Sequence, residues 1–348
     1  MKNILLTGSS GFVGSYFTDN YTKKYYINKF SFLNDNFDEL SLSNTDTIIH
    51  LSALVHQMGG ASEEEYKKVN VTQTIDLAKK AKERGVKHFI FMSTVKVYGE
   101  EIDIAYTENT TCSPQDDYGK SKLEAELELQ KLEDDDFKVS IIRTPIVYGY
   151  GVKANIKNLI SLVSKVPVLP FASIQNKRSM IYVGNLCYMI DTLIGMTNRL
   201  DCFVPRNDGG SCTMTDGLDC HASLAMTGET EEGVRLPRFA RNDGKVARND
   251  GDEMTRGNIF LASDDEPLST TRLIELIANG LGKKVYLVKI PFFESLLKLV
   301  KPSFHKRLYE SLEVDNSHSM KRLFGEDKSS LPFSVEDGIK FMLNDKDK

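Results

Sequence analysis

A short apolar strand running straight into a glycine-rich turn constrains this chain more than any other feature. Asn3-Ile4-Leu5-Leu6-Thr7 is followed at once by Gly8-Ser9-Ser10-Gly11-Phe12-Val13-Gly14, and a helical pattern starts within the turn. Glycine tolerates the left-handed backbone of a tight turn and lets two backbones approach closely. A strand, a turn of this spacing and a helix make the first unit of a parallel α/β sheet. The helix N-terminus then faces an anion such as a pyrophosphate, and Gly8, Gly11, Phe12, Val13 and Gly14 are the candidate phosphate-binding residues.

The rest of the first half keeps that alternation. Strand candidates are Asn3–Thr7, Thr47–Leu51, His88–Met92 and Val139–Arg143. Between them, residues 63–84 and 116–133 show helical periodicity, the first stopped by Gly85. The pattern predicts a doubly wound parallel Rossmann sheet. Residues 25–33 predict one or two short strands. Asp35 lies near the spacing of a ribose-binding acid but reads as a turn aspartate, so NAD and NADP are not distinguished.

The chemistry gathers at one strand end. Thr94 closes the apolar run His88-Phe89-Ile90-Phe91-Met92, and open α/β sheets bind ligands at such ends. Tyr118 and Lys122 are four residues apart, hence one turn apart on one helix face. A free phenol titrates near about 10, and a nearby ammonium is expected to lower that value. Thr94, Tyr118 and Lys122 are therefore the catalytic candidates, with Ser93 a second hydroxyl at the same place.

Composition excludes other classes. With 348 residues and 41% hydrophobic side chains, a large core is available. A net charge of -5 without a large basic block excludes a dedicated nucleic-acid binder. No apolar run reaches the length of a membrane span. Met1-Lys2-Asn3 runs directly into the first strand, so a cytoplasmic protein without a signal peptide is expected. Five cysteines, an odd number, predict reduced thiols, and Cys202, Cys212, Cys220 and His221 fit no zinc spacing, so no metal is expected.

Thr7-Gly8-Ser9-Ser10-Gly11-Phe12-Val13-Gly14, Ser93-Thr94 and the Tyr118/Lys122 pair resemble the extended short-chain dehydrogenase/reductases that act on nucleotide sugars. His50-Leu51-Ser52-Ala53, Asn70, Arg143-Thr144-Pro145-Ile146-Val147-Tyr148-Gly149 and Arg178-Ser179-Met180-Ile181-Tyr182-Val183 resemble further motifs of that family, in its order. The resemblance covers roughly 1–195 and 258–342. It implies that Leu51, Ser52 and Ala53 line the NAD or NADP site, and that Lys122 also holds the nicotinamide ribose. It implies that Arg178 and Asn155 contact a UDP-sugar, alongside Ser93, Thr94 and Tyr118. It further implies a homodimer paired through helices around the catalytic face.

By this resemblance, 1–153 with 175–195 form the dinucleotide-binding domain. Residues 154–174 with 258–345 form a smaller α/β sugar-nucleotide domain. Between them, 201–257 reads as a peripheral insertion, because Arg-Asn-Asp-Gly recurs at 206–209, 241–244 and 248–251 with little apolar periodicity.

Family dehydratases carry an Asp-Glu pair directly after the catalytic threonine. Here Val95 and Lys96 stand there, which argues against a 4,6-dehydratase. Residues 148–155 and 176–179 look most like bacterial reductases of UDP-4-keto-6-deoxy-N-acetylhexosamines, enzymes of surface-polysaccharide synthesis. The first expectation is therefore 4-keto reduction by NAD(P)H with Tyr118 as proton donor. A UDP-hexose 4-epimerase with tightly bound NAD is the alternative. A non-catalytic nucleotide-binding scaffold is the third reading.

Overall fold

A computed structural model describes residues 1–55, 61–99, 104–172, 174–196, 258–264, 266–325 and 331–344. The expected insertion at 201–257 lies outside the described residues.

Six strands form one sheet: β1 (Asn3–Thr7), β2 (Tyr26–Phe30), β3 (Thr47–His50), β4 (His88–Thr94), β5 (Lys138–Thr144) and β9 (Ile259–Leu261). Their order is β2-β1-β3-β4-β5-β9, and every pairing is parallel. The chain thus winds outward from β1 to β2, returns past β1 to β3, and continues to the far edge. The reversal between β1 and β3 opens a crevice at the strands' carboxyl ends. Two parallel pairs lie beyond the sheet: β6 (Ile146–Tyr148) with β8 (Met180–Tyr182), and β7 (Val168–Leu169) with β10 (Tyr286–Leu287).

Strand periodicity divides the core between the two faces. Ile4, Leu6, Ile49, Ile90 and Ile142 pack in one cluster with helices α5 (Ala154–Lys165), α6 (Val183–Gly195) and α7 (Thr270–Gly280), including Leu186, Met189, Ile190 and Leu193 of α6. Leu5, Ile48, Phe89, Phe91 and Ile141 join the other. That second cluster includes Leu77 and Ala78 of α3 (Gln73–Glu83), and Ala125 and Leu129 of α4 (Asp117–Leu132). Burial on both faces explains why these strands read as unbroken apolar runs. Cys187 is buried and Cys112 half-buried, and neither is in a disulfide.

One expectation narrows and another changes. The segment 25–33 gives a single strand, β2, beyond which Asp35 accepts the Ser31 N–H at 2.8 Å in a local turn. The sheet therefore ends one strand past β1. Second, β9 pairs with β5 through Ile141↔Ile259, Ile142↔Phe260 and Arg143↔Leu261. Residues 259–261 thus complete the dinucleotide-binding sheet instead of opening the smaller domain. Three residues with no alternation are too short a signal to assign to a sheet.

The predicted helix over 63–84 is interrupted. α2 (Glu63–Tyr66) starts at a capping box, in which Ser62 Oγ accepts the Glu65 N–H and Glu65 accepts the Ser62 N–H. A π-helical turn, Lys67–Thr72, then separates it from α3. Such turns often mark functional positions, and this one carries Asn70.

Candidate active site

The glycine turn packs backbone on backbone. Gly8 has φ +69°, and a Cβ there would sit 2.8 Å from Leu51 C and Ser52 N. A Cβ on Gly14 would fall 2.2 Å from Gly8 O. Helix α1 (Phe12–Tyr21) starts at Gly11 with no side-chain cap and no acid in its first turn. Its leading N–H groups, with Phe12 and Val13, suit the pyrophosphate of a dinucleotide. The turn fits such a group because its glycines keep the backbone close-packed and no side chain caps the leading N–H groups of α1. Gly14→Ala should cost more than the roughly 1–3 kcal/mol usual for overpacking, because the clash is with backbone. A thermal melt and a dinucleotide titration check this; an unchanged pair of values contradicts it.

A hydrogen-bond relay fixes the neighbouring β3 exit. The Thr74 hydroxyl donates to Asn70 O at 2.8 Å, so its oxygen must accept from His50 Nε2 at 2.9 Å. His50 Nδ1 is then bare and accepts the Thr7 hydroxyl at 2.8 Å. Thr7 Oγ1 in turn accepts the Ser52 N–H at 3.2 Å. Four groups thereby hold Leu51-Ser52-Ala53 against Gly8. His50 works structurally, and burial drives its pKa down to about 3, helped by Lys122. Asn70, fully buried, clamps both Leu54 N (2.8 Å) and Leu54 O (3.0 Å) and donates to Ser121 Oγ (3.0 Å). It ties the β3 loop to α4.

His88, also fully buried and bonded to Ser140 Oγ at 2.8 Å, is lowered to about 3 as well. In the unfolded chain both imidazoles take up protons below about 6.5, while the folded ones stay neutral until about 3. Stability is therefore lost as pH falls through that window, by up to about 1.4 kcal/mol per pH unit for each histidine. Urea unfolding at stepped pH measures the slope; no loss between those values contradicts it.

Tyr118 and Thr94 meet through a side-chain hydrogen bond, and Lys122 lies one turn further along the same helix. Thr94 ends β4, and Tyr118 lies in the first turn of α4, set by the Asp116 cap on Gly119 N (2.7 Å). Burial raises the Tyr118 phenol to about 12, aided by the Asp116 carboxylate and Tyr66, while a hydrogen bond to Thr94 pulls the other way. This corrects the expected lowering. The Lys122 ammonium sits 3.9 Å over the Phe91 ring, and burial lowers it to about 7 against the pull of Glu126. Desolvation wins over attraction at both groups.

Ser93 turns the other way. Its hydroxyl donates to Glu126, which accepts Arg143 Nε (3.1 Å) and Nη2 (2.6 Å). Arg143 also covers Tyr98 at 4.7 Å. The expected contact of Ser93 with substrate gives way to a buried brace behind Thr94. Sequence reading missed Glu126, although it is four residues past Lys122 on the same helix. In the dehydratase-pair positions, Val95 is core and Lys96 forms an ion pair with Asp116.

A cleft of about 320 Å³ begins two residues past Thr144, at Ile146. Arg178 and Asn155 both line it. Arg178 is fixed by bonds from Nε to Glu310 O (3.0 Å) and from Nη2 to Lys306 O (3.4 Å). Arg307, which sequence reading missed, lines the same cleft and donates to Asn155 Oδ1 at 3.2 Å. It lies in a basic helical stretch without a motif, so only the fold brings it here. Two guanidiniums over an apolar floor suit a nucleoside diphosphate.

Residues 4–201 match the NAD dependent epimerase/dehydratase family. The chain is 34% identical to a UDP-glucose 4-epimerase of Vibrio cholerae, over 92% of this chain and 90% of that protein. Among solved structures it is similar to a UDP-glucuronic acid 4-epimerase of Bacillus cereus in complex with NAD (TM-score 0.64, 17% identity, 97% and 96% of the two chains). A dTDP-4-dehydrorhamnose reductase of Clostridium acetobutylicum is equally close in fold (TM-score 0.65, 16% identity, 98% of each chain). The glycine turn, the Thr94–Tyr118 contact and a match across more than half its length lead to one conclusion: the chain belongs to the NAD dependent epimerase/dehydratase family, the extended short-chain dehydrogenase/reductases, and is an NAD(P)-dependent enzyme of nucleotide sugars.

Proposed function

We propose that this enzyme is a UDP-hexose 4-epimerase, acting on UDP-glucose or its N-acetyl analogue. The observation that carries this is the identity shared with the Vibrio cholerae epimerase along nine-tenths of both chains. It moves the alternative from the sequence ahead of the reductase. When bound, the nicotinamide dinucleotide supplies the acceptor, and then the donor, of the C4 hydrogen. Gly8, Gly11 and the first N–H groups of α1 hold its pyrophosphate, while Leu51, Ser52 and Ala53 wall its site. Arg178 and Arg307 neutralise the UDP diphosphate, and Asn155 orients Arg307. Tyr118 takes the proton from the C4 hydroxyl and later returns it. Thr94 aligns that oxygen, and Lys122 as an ammonium favours the phenolate.

The reductase remains the second reading because the sheet ends one strand past β1. A short edge leaves less protein around the adenosine half and favours an exchangeable cofactor. The kept Tyr118 and Lys122 argue against a scaffold. The two enzyme readings separate by stoichiometry. An epimerase interconverts UDP-glucose and its C4 epimer, or the N-acetyl pair, without net use of NAD(P)H. Stoichiometric NAD(P)H loss with a UDP-4-keto-6-deoxy-N-acetylhexosamine, and no interconversion, overturns the proposal.

A further inference from the structure

One face of the protein is both apolar and basic, and the catalytic site does not use it. Helix α8 (Phe293–Val300) has no buried residue, although Phe293 and Leu297 pack partly against the core and Phe293 meets Phe171 edge-on at 6.1 Å. Its other side carries Leu296 (59% exposed) and Leu299 (83%), and Phe292 (87%) precedes it. These three are spaced i, i+4, i+7, so they form one ridge. Ile290 and Val300 extend it, each at least half exposed. Phe292 also holds φ +61°, a left-handed conformation uncommon for a bulky residue, with its ring facing solvent. Packing within the chain explains neither its exposure nor its backbone.

Charge identifies the occupant. From Leu281 to Tyr309 there are seven basic side chains and one acid, Glu294, in a chain of net charge -5. Lys289, Lys298 and Lys301 flank the ridge. A two-fold self-pair would set these lysines against their own copies with almost no carboxylate to offset them. The homodimer pairing implied by the family resemblance also uses other helices. An apolar ridge rimmed by lysines matches the boundary between anionic headgroups and acyl chains. No helix among the described residues is long and apolar enough to cross a membrane, so contact would be peripheral. Helix α9 (Pro302–Tyr309) packs on α8 and lends Phe304, Arg307 and Leu308 to the cleft. A bilayer under α8 would therefore lie beside the sugar-nucleotide site.

We propose that residues 289–301 form a peripheral docking element for an anionic lipid surface, with Phe292, Leu296 and Leu299 inserted and Lys289, Lys298 and Lys301 on phosphates. The test is sedimentation of the full chain with phosphatidylglycerol–phosphatidylcholine vesicles and with phosphatidylcholine alone. Binding is expected to the anionic vesicles, to weaken with salt, and to fall by roughly tenfold or more in Phe292→Ser/Leu296→Ser/Leu299→Ser. Lys298→Glu/Lys301→Glu should lose binding similarly. Both variants should keep the wild-type circular dichroism melt and the wild-type turnover on soluble nucleotide sugar. Wild-type chain left in the supernatant overturns the proposal, and so does undiminished sedimentation of both variants. A shift from dimer to monomer in the serine variant, measured by light scattering, overturns it in favour of a second copy.

Discussion

Tyr118→Phe should lower turnover by roughly 10²–10⁴-fold, the range for loss of a positioned proton-transfer group. Cofactor binding should persist, because the substitution removes one oxygen and keeps the ring, which packs 6.2 Å from Tyr66. The loss should appear in kcat, since the phenol acts where charge develops. The protein alone holds this phenol at about 12, so it is protonated at neutral pH. Proton transfer at neutral pH therefore requires a cation to approach the phenol when the site is loaded, the role proposed for Lys122 one helical turn away. Turnover and a dinucleotide fluorescence titration, run on the same preparation, check both halves. Retained turnover would remove Tyr118 from the mechanism.

Lys122→Met should show a large loss of activity together with a gain in stability. Burial holds the Lys122 ammonium at a folded pKa of about 7, against 10.5 for a lysine in water. Above the higher value both states are neutral and nothing is lost. As pH falls through that window, the unfolded chain takes up a proton that the folded one refuses, and stability drops. Below about 7 the full penalty stands. A methionine of similar length removes it, so the variant should be more stable at neutral pH by a few kcal/mol, about 1.4 for each pH unit of the window, less whatever Phe91 and Glu126 return. The gap should close towards pH 10. Urea unfolding of both proteins at neutral and high pH checks this. A variant less stable than wild type at neutral pH contradicts the account. Stability set against activity at one residue is what a functional, strained site produces.

Much of this was legible in the residues because local rules and fold agreed. Strand, glycine turn and helix could be read because Gly8 needs a positive φ and Gly14 has no room for a Cβ. The Tyr118/Lys122 pair was legible because helical spacing alone places both on one face. Long-range facts were not. That β9 would join β5 depends on a long crossover and on a strand of three residues, too short to carry a periodic signal. That Ser93 would turn to Glu126 depends on the strand's alternation meeting a carboxylate 33 residues away. The direction of the Tyr118 shift failed for a physical reason: the sequence gives the neighbouring charge but not the burial, and burial is the larger effect.

The most direct test of the central claim is proton NMR of the enzyme with UDP-glucose, and then with UDP-N-acetylglucosamine, in deuterated water with NAD. The account predicts that a C4-epimer resonance grows to equilibrium with no deuterium at C4, because the hydrogen leaves and returns within the closed site. It also predicts that Tyr118→Phe abolishes that growth. No epimer from either sugar, or an epimer labelled at C4 from solvent, would contradict it.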